Sequence, residues 1–481
     1  MKALSPTDSA FLWMETRNQP MHVAGLNIYT PPKGSGPEFV GQMLDAWRQH
    51  LGAQTPFNLK PKLRFGMWHW EEDKDFEMDY HLRHLALPQP GRIRELLALV
   101  SRVHGNLMDR NRPLWECYVI EGLPGGRFAT YIKMHHALID GVSGAKMTAQ
   151  AMSTTAKEHK PPLWAQTLGK PSRPRPAASS KGLLEQLTEL AQAGREILPG
   201  IGAGLVDLAR SAAGEETPIA ALKAPPTAFN VEISGSRRFA AQSFALSRLK
   251  RIGQAADATV NDVTLAICAG ALRQYLQTHA KLPSKPLVAM VPVSLHGETD
   301  LGGNQVTLLL AELATHIKDP LKRLEKIKAS TTQAKDKLRS MSRLQKMAYG
   351  MTSIATFGPA LVTKLAGKYP PFNLVISNVP GARESLYING AALDEIYPVS
   401  IPTHYLALNI TISGYRDNLG FGFIACRRSV PALQRMLDYT EQSIEELETA
   451  LGLELPLAKP ATAKRGAVGA AKKTVKKKKS A

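Results

Sequence analysis

The sequence predicts an α/β protein of two lobes joined by a linker. Its 481 residues exceed the about 100–200 residues of an ordinary domain. Strand and helix patterns are mixed in the first ~150 residues and again after residue 229. Between them, residues 157–181 are rich in Pro, Ser and Lys, as linkers are, and leucines at helical spacing follow. We therefore predict four segments: an N-terminal lobe (1–154), a linker with amphipathic helices (155–228), a C-terminal lobe (229–457) and a basic disordered tail (458–481).

The N-terminal lobe begins with a helix signal. Ser5 supplies a capping hydroxyl and Pro6 fits the first turn, so a helix should start here. Apolar and β-branched residues then recur with the period of either a strand or a helix. They predict, in order, a strand at 23–29, a helix at 92–107, and a hairpin of strands 116–121 and 128–135.

The C-terminal lobe repeats this mixture. A strand should follow Ser236, and the later patterns alternate between the two periods, with no repeat unit of fixed length. They predict helices at 246–255 and 260–279, strands at 287–294 and 306–314, a helix at 321–338 and a strand at 373–379.

The cysteines and the apolar runs favour a cytosolic protein. Three cysteines, far apart and odd in number, predict unlinked thiols in a reducing compartment. The N-terminus lacks the pattern of a signal peptide, and no run reaches ~18 apolar residues, so no transmembrane helix is expected. The charge-free stretch 347–363 contains two Gly and one Pro, which favours helices in a core or lining a tunnel over membrane contact.

The formal charge of +19 is partly explained by the tail, where nine Lys and Arg occur after residue 457 without an acidic residue. Such a tail is either a solvated extension, a contact for anionic lipid, or a contact for nucleic acid. We find no zinc-finger, helix-turn-helix or RNA-recognition signature. Nucleic acid is therefore not an expected partner.

The chemistry-bearing segment is His135-His136-Ala137-Leu138-Ile139-Asp140-Gly141, at the end of the strand 128–135. Gly141 permits a tight turn into the following helix. Neighbouring side chains of a strand point to opposite faces. Both histidines therefore cannot face one cleft, so that one is the reagent and the other supports it.

Three roles are open for these histidines. A metal site is disfavoured because adjacent histidines diverge and the HExxH spacing is absent. A purely structural role is the second possibility. The third is a general base, because imidazole has an ordinary pKa of ~6.5 and can take the proton of an alcohol that attacks a thioester. No GxSxG nucleophile is present, which favours direct transfer over an acyl-enzyme.

The His-His-x-x-x-Asp-Gly motif resembles the signature of the chloramphenicol-acetyltransferase-like superfamily, which includes peptide-synthetase condensation domains. Further motifs in the same order narrow the resemblance to the bacterial bifunctional wax ester synthase/acyl-CoA:diacylglycerol acyltransferase family. They are Pro113-Leu114-Trp115-Glu116, Asn261-Asp262-Val263, Val291-Pro292-Val293-Ser294, Gly303-Asn304-Gln305-Val306, Ile376-Ser377-Asn378-Val379-Pro380-Gly381 and Leu408-Asn409-Ile410-Thr411.

The resemblance implies two pseudo-symmetric chloramphenicol-acetyltransferase-like lobes with an active-site tunnel between them. It makes His136 the proton acceptor, with His135 supporting the loop from the other face. It implies that Asp140 holds the turn through an ion pair. Two departures from the family pattern leave the histidine motif intact: Leu295-His296 stands where an Arg is common after Val-Pro-Val-Ser, and Ser413-Gly414-Tyr415 where Ser-Tyr is usual.

Two further pairs are candidates for substrate or oxyanion contacts. Asn261 and Asp262 begin a predicted helix, so they either cap it or lie near the tunnel. Ser377 and Asn378 end a strand, and they either donate hydrogen bonds near the developing oxyanion or stiffen a loop.

The expected reaction is transfer of a long-chain acyl group from acyl-CoA, as co-substrate, to a fatty alcohol or diacylglycerol, without metal or bound cofactor. The protein is expected in the cytoplasm, peripherally attached to membrane or lipid droplets. Two alternatives are another condensing acyltransferase of this fold and an inactive lipid-binding relative. The absence of a carrier-protein module argues against the first, and the intact His136 and Asp140 argue against the second.

Overall fold

A computed structural model describes residues 2–167, 224–294, 306–341, 345 and 365–454. The strands in this part of the chain are β1 Lys2–Ala3, β2 His22–Thr30, β3 Leu59–Arg64, β4 Met67–Glu72, β5 Leu82–Ala86, β6 Trp115–Glu121, β7 Phe128–His135, β8 Arg237–Ala245, β9 Val288–Ser294, β10 Val306–Glu312, β11 Leu374–Val379, β12 Tyr387–Ile388, β13 Ala391–Val399, β14 Leu408–Tyr415 and β15 Asn418–Cys426. The helices are α1 Pro6–Met14, α2 Phe39–Arg48, α3 Met78–His81, α4 Ile93–His104, α5 Gly141–Ala151, α6 Leu246–Ala255, α7 Val260–His279, α8 Pro320–Arg339 and α9 Arg435–Ala450.

The described residues form two six-stranded sheets, and four strands of each sheet have the same pattern of pairings. The first sheet has the order β12-β13-β2-β7-β6-β5 and the second β10-β9-β11-β14-β15-β8. In the first, β2 pairs antiparallel with β7, β7 antiparallel with β6, and β6 parallel with β5. In the second, β8, β15, β14 and β11 repeat that pattern. The predicted pair of pseudo-symmetric α/β lobes is therefore confirmed.

Two strands from the second half of the chain, β12 and β13, extend the first sheet. Residues 391–399 pair antiparallel with β2, although the sequence boundaries place them in the C-terminal lobe. This strand also lies across β15 of the second sheet, where Gly420 and Gly422 face it. A Cβ on either glycine would lie 2.0 Å from the carbonyl oxygen of Ile396 or Pro398. The two sheets thus meet through a close backbone contact that only glycine allows.

The local predictions agree with the elements observed. The helix start at Ser5 is confirmed, because its hydroxyl accepts from the Asp8 backbone N–H at 3.1 Å. The hairpin of β6 and β7 is also confirmed. All three cysteines are free and buried. Among the described helices, none is both long and apolar enough to cross a membrane. Most of the predicted linker, the stretch 347–363, the Leu295-His296 departure and the tail lie outside the described residues.

Candidate active site

The histidine motif lies where β7 ends beside the start of β2. His135 is the last residue of β7 and pairs with His22. Its backbone N–H donates to Leu114 O at 3.0 Å, whereas the N–H of His136 donates to Met21 O at 2.8 Å. The backbone thus continues as a strand to His136, which turns the two imidazoles to opposite faces, as the sequence predicts.

His135 is fully buried, with a hydrogen bond at Nδ1 and a carboxylate near Nε2. Its Nδ1 accepts the Ala137 backbone N–H at 3.0 Å, so the proton of the neutral ring is on Nε2. That nitrogen lies 3.4 Å from Oε1 of Glu15, which follows α1. His135 therefore locks the turn and α1 together, which is the supporting role.

Glu15 is a site residue that the sequence did not reveal. Its side chain is almost fully buried and contacts Arg110 at 3.0 Å through Oε2. Oε1 accepts the Met21 backbone N–H at 3.1 Å. Burial alone raises the pKa of this carboxyl, but His135, Met21 and Arg110 outweigh burial and keep the pKa below its usual range. Glu15 is thus an anion that joins α1, β2 and the motif.

His136 is half-buried and faces an aromatic ring. The side chain of Phe11, on α1, stacks on it with ring centroids 4.1 Å apart and planes 20° apart. Burial lowers the pKa of His136 to about 4, partly opposed by the charge of Asp140 and assisted by that of His135. The ring is therefore uncharged at neutral pH and able to accept a proton.

Asp140 holds the turn as a helix cap. Its carboxylate accepts the backbone N–H of Ser143 at 2.9 Å and the hydroxyl of Ser143 at 2.8 Å, at the start of α5. Among the described residues Asp140 has no cationic partner, so the expected ion pair stays a prediction, and the free N–H group at the helix start satisfies the carboxylate. Gly141 does not form the expected tight turn: it is the first residue of α5, and a Cβ there would meet nothing within 4 Å.

The Pro113-Leu114-Trp115-Glu116 motif supports the catalytic strand from β6. Glu116 forms a buried ion pair with Lys133 of β7 at 2.7 Å, and it also accepts the hydroxyl of Tyr118 at 2.7 Å. Burial lowers the pKa of Lys133, and the Glu116 carboxylate opposes that shift. Because each buried charge has a partner, this pair fixes the register of β6 and β7 next to the histidines.

Asn261 and Asp262 lie in the first turn of α7, but neither is its cap. The cap is Thr259, whose hydroxyl accepts the Asp262 backbone N–H at 3.2 Å. The Asp262 carboxylate accepts the backbone N–H of Thr259 at 3.1 Å and the hydroxyl of Thr331 on α8 at 2.6 Å. Asp262 thus completes a capping box and joins two helices of the second lobe.

Ser377 and Asn378 lie near the end of β11. Ser377 is half-buried and Asn378 is exposed. The helix α5, which follows the histidine motif, packs against β11. The fold therefore brings this strand of the second lobe close to the motif helix of the first. Among the described residues, no group of three His, Cys, Asp or Glu side chains is arranged to hold a metal ion.

Two family models match this chain. The family model described as wax ester synthase/diacylglycerol acyltransferase catalytic domain matches residues 4–264, and the WS/DGAT C-terminal domain matches residues 302–448. The chain belongs to the wax ester synthase/diacylglycerol acyltransferase family. It is therefore an O-acyltransferase, and the resemblance stated from its motifs is confirmed.

Relatives within this family cover nearly the whole chain. A probable diacylglycerol O-acyltransferase of Mycobacterium tuberculosis is 44% identical, over 94% of this chain and 100% of its own. The O-acyltransferase WSD of Acinetobacter baylyi is 42% identical, over 93% and 97%. The solved wax ester synthase/diacylglycerol acyltransferase of Marinobacter aquaeolei is 43% identical, with a TM-score of 0.77 over 94% of this chain and 100% of that one.

The fold extends beyond this family. The first condensation domain of the calcium-dependent antibiotic synthetase is 16% identical, with a TM-score of 0.58 over 94% of this chain and 96% of that one. That likeness concerns the architecture alone. The wax ester synthase/diacylglycerol acyltransferase family thus shares the expected condensation-domain-like fold.

Proposed function

We propose that this enzyme transfers a long-chain acyl group from acyl-CoA to a fatty alcohol, giving a wax ester, or to diacylglycerol, giving triacylglycerol. The relatives named above carry both activities in their names. The observation that supports the chemistry is His136, uncharged at neutral pH, with its ring stacked on Phe11. An uncharged imidazole with a fixed orientation is suited to general-base catalysis.

In the proposed mechanism, His136 removes the hydroxyl proton of the acceptor as its oxygen attacks the thioester carbonyl carbon. The Nδ1 atom of His136 is buried, so we assign proton transfer to Nε2. The new C–O bond forms, the C–S bond breaks, and the CoA thiolate takes the proton back from the imidazolium. The charge of Asp140 favours the imidazolium in between.

The proposed reaction uses acyl-CoA as a co-substrate and no metal or bound cofactor. A thiolate is a good leaving group, so the thioester does not need a Lewis acid to react with an activated alcohol. Treatment with a chelator, followed by gel filtration, should leave the rate unchanged. A loss of rate that is restored by one added metal ion would contradict this part of the proposal.

Peripheral attachment to membranes or lipid droplets on the cytoplasmic side is also proposed. Long alcohols and diacylglycerol are nearly insoluble in water, so the enzyme meets them at an interface. The formal charge of +19 favours anionic surfaces, and salt screens such attraction over ~8–10 Å. Flotation with anionic liposomes should weaken at high salt and after truncation behind Leu457. Equal flotation of both proteins would exclude a role of the tail.

The central test follows CoA release from palmitoyl-CoA with hexadecanol or dioleoylglycerol. The His136→Ala variant should lose about 10²- to 10⁴-fold in rate, which is the usual contribution of a general base. His159→Ala, at an exposed histidine outside the motif, is the matched control. If His136→Ala kept more than half of the activity, the assignment of the base would be wrong.

A further inference from the structure

An exposed apolar patch lies next to the histidine motif. It comprises Phe65 at the tip of the β3–β4 hairpin, Leu63 and Met67 on opposite faces of the hairpin beside it, and Trp13 and Met14 at the end of α1, and we call it the hairpin patch. Phe65 is fully exposed, and the other four side chains keep 43–59% of their surface in water. Large apolar side chains that cluster in water usually mark an interaction surface.

The residue at the tip, Phe65, is unfavourable for the stability of the turn. Arg64 pairs with Met67 across the hairpin, so Phe65 and Gly66 form a two-residue turn. Both have positive φ, 49° and 75°. Such turns prefer Asn-Gly or Asp-Gly, because a bulky side chain is strained in the left-handed region. A phenylalanine at this position costs stability and gains no contact within the fold, which indicates a partner outside it.

The strand that leads to the tip is basic. Residues 59–67 contain Lys60, Lys62 and Arg64 and no acidic residue. Lys62 is exposed, whereas Lys60 pairs with Asp73 at 2.7 Å and Arg64 pairs with Glu71 at 3.2 Å. Tryptophan, here Trp13, is enriched at the boundary between apolar and aqueous phases. Five side chains on a protruding tip fall short of the about 20–30 residues a side of a stable protein interface.

The hairpin patch is continuous with the catalytic motif. Trp13 contacts Trp68 of β4, with ring centroids 5.5 Å apart. Trp68 belongs to one buried cluster with Leu12 of α1 and Ala137 of the motif. Two residues before Trp13 on the same helix, Phe11 stacks on His136. Any surface that receives the patch is therefore brought next to the catalytic base.

We propose that the hairpin patch inserts into a lipid surface with anionic headgroups and so brings the enzyme to its water-insoluble acceptor. The proposal rests on the acyltransferase function proposed above. Phe65, Met67 and Trp13 enter the apolar layer, while Lys62 and Arg64 meet the headgroups. This surface differs from the basic tail, since apolar insertion survives salt concentrations that screen a purely ionic contact.

The test is Phe65→Asn in the full-length protein, with Leu51→Asn, another exposed apolar residue outside the patch, as matched control. Asparagine suits the turn, so the melting temperature of Phe65→Asn should be unchanged or higher. Flotation at high salt with phosphatidylcholine/phosphatidylglycerol vesicles that contain dioleoylglycerol should fall about tenfold relative to the control. The apparent KM for the diacylglycerol of the vesicles should rise by a similar factor.

Turnover with dissolved 1-hexanol and palmitoyl-CoA separates docking from catalysis. We expect Phe65→Asn to match the control within twofold there. Equal flotation and vesicle turnover of Phe65→Asn and control would overturn the proposal, as would an equal loss with hexanol and vesicles. If the wild type formed a dimer and the Phe65→Asn variant a monomer, the patch would be an interface with a second copy of the chain instead. If the wild type released no CoA with any acceptor, the proposed function would be refuted. Flotation would still test whether the hairpin patch inserts into the lipid surface.

Discussion

Phe11 and His136 lie ring against ring, with centroids 4.1 Å and planes 20° apart. Such a stack is worth about 0.5–1.5 kcal/mol beyond the burial of its area, which corresponds to about 2- to 10-fold in a rate that depends on ring orientation. Phe11→Leu should therefore lower kcat up to about tenfold, measured as CoA release. Phe11→Tyr, which keeps the ring, should stay near the wild type. Equal rates for the Phe11→Leu and Phe11→Tyr variants would show that an aromatic ring at this position does not matter for the rate.

The acid limb of the pH–rate profile should depend on the same contact between Phe11 and His136. Burial lowers the pKa of His136 to about 4, and kcat/KM follows the free enzyme. The base should thus stay unprotonated as the pH falls well below 6.5, and the limb should lie below about pH 5. Phe11→Leu admits water to the ring, so its limb should move upward toward 6.5. A wild-type limb at 6.5 would mean that His136 is hydrated like a free imidazole.

Local signals in the sequence explain why the motif could be placed correctly. Alternation along a strand is enough to turn His135 and His136 to opposite faces, and a hydroxyl before Pro6 is enough to start α1. Such features depend on residues a few positions apart. The predicted helix at Val260–His279 was correct for the same reason, although its cap proved to be Thr259.

What the sequence could not show depends on distant contacts. Glu15 meets His135 across about 120 residues, and Phe11 meets His136 across a similar separation. No periodicity or spacing relates such positions, because the fold alone brings them together. Likewise, the strand 391–399 joins β2 although hundreds of residues separate them, so a boundary drawn from composition cannot assign it to the first sheet.

Glu15 should act through His135 rather than on substrate. Glu15→Gln keeps the shape but removes the anion, leaving Arg110 and the Nε2 proton of His135 without a charged acceptor. Hydrogen bonds to charged groups contribute about 1.5–3 kcal/mol, and Arg110 is one-third exposed, so a loss of about 1–2 kcal/mol in unfolding free energy is expected.

The same variant should lower kcat and leave KM almost unchanged, because the motif turn loosens while the binding surfaces persist. Chemical denaturation and initial rates check both effects. Glu77→Gln, at an exposed carboxylate that pairs with Arg112, is the control. A rise in KM without a fall in kcat would place Glu15 in substrate binding instead.

Substitutions of Asp140 distinguish its role as a helix cap from the effect of its charge. Asp140→Asn can still accept the Ser143 backbone N–H, so its stability should stay close to that of the wild type. Asp140→Ala removes the cap and should cost about 0.5–2 kcal/mol in unfolding free energy. In Asp140→Asn the pKa of His136 should fall further, since the charge that raises it is gone. Equal destabilisation by Asn and Ala would show that the charge, not the cap, holds the turn.

Histidines whose pKa is lowered in the fold predict how stability depends on pH. Burial lowers the pKa of His81 and His136 to about 4 and that of His104 to about 3, and it also lowers the pKa of His22 strongly. In the unfolded chain the pKa of each of these histidines is near 6.5. Below that pH the unfolded state binds more protons than the folded state, so protonation favours unfolding. Their full stabilising contribution exists above pH 6.5 and is lost as the pH falls toward about 4.

Each such histidine contributes a slope of up to about 1.4 kcal/mol per pH unit in that window. The melting temperature should therefore fall between pH 7 and 5, before the carboxylates begin to titrate. His81→Gln should reduce the proton uptake on unfolding by about one at pH 5, whereas His159→Gln, at an exposed histidine, should not change it. Calorimetry in buffers of different ionisation enthalpy counts these protons. A melting temperature that stays constant between pH 7 and 5 would mean that these histidines are already accessible to protons in the folded enzyme.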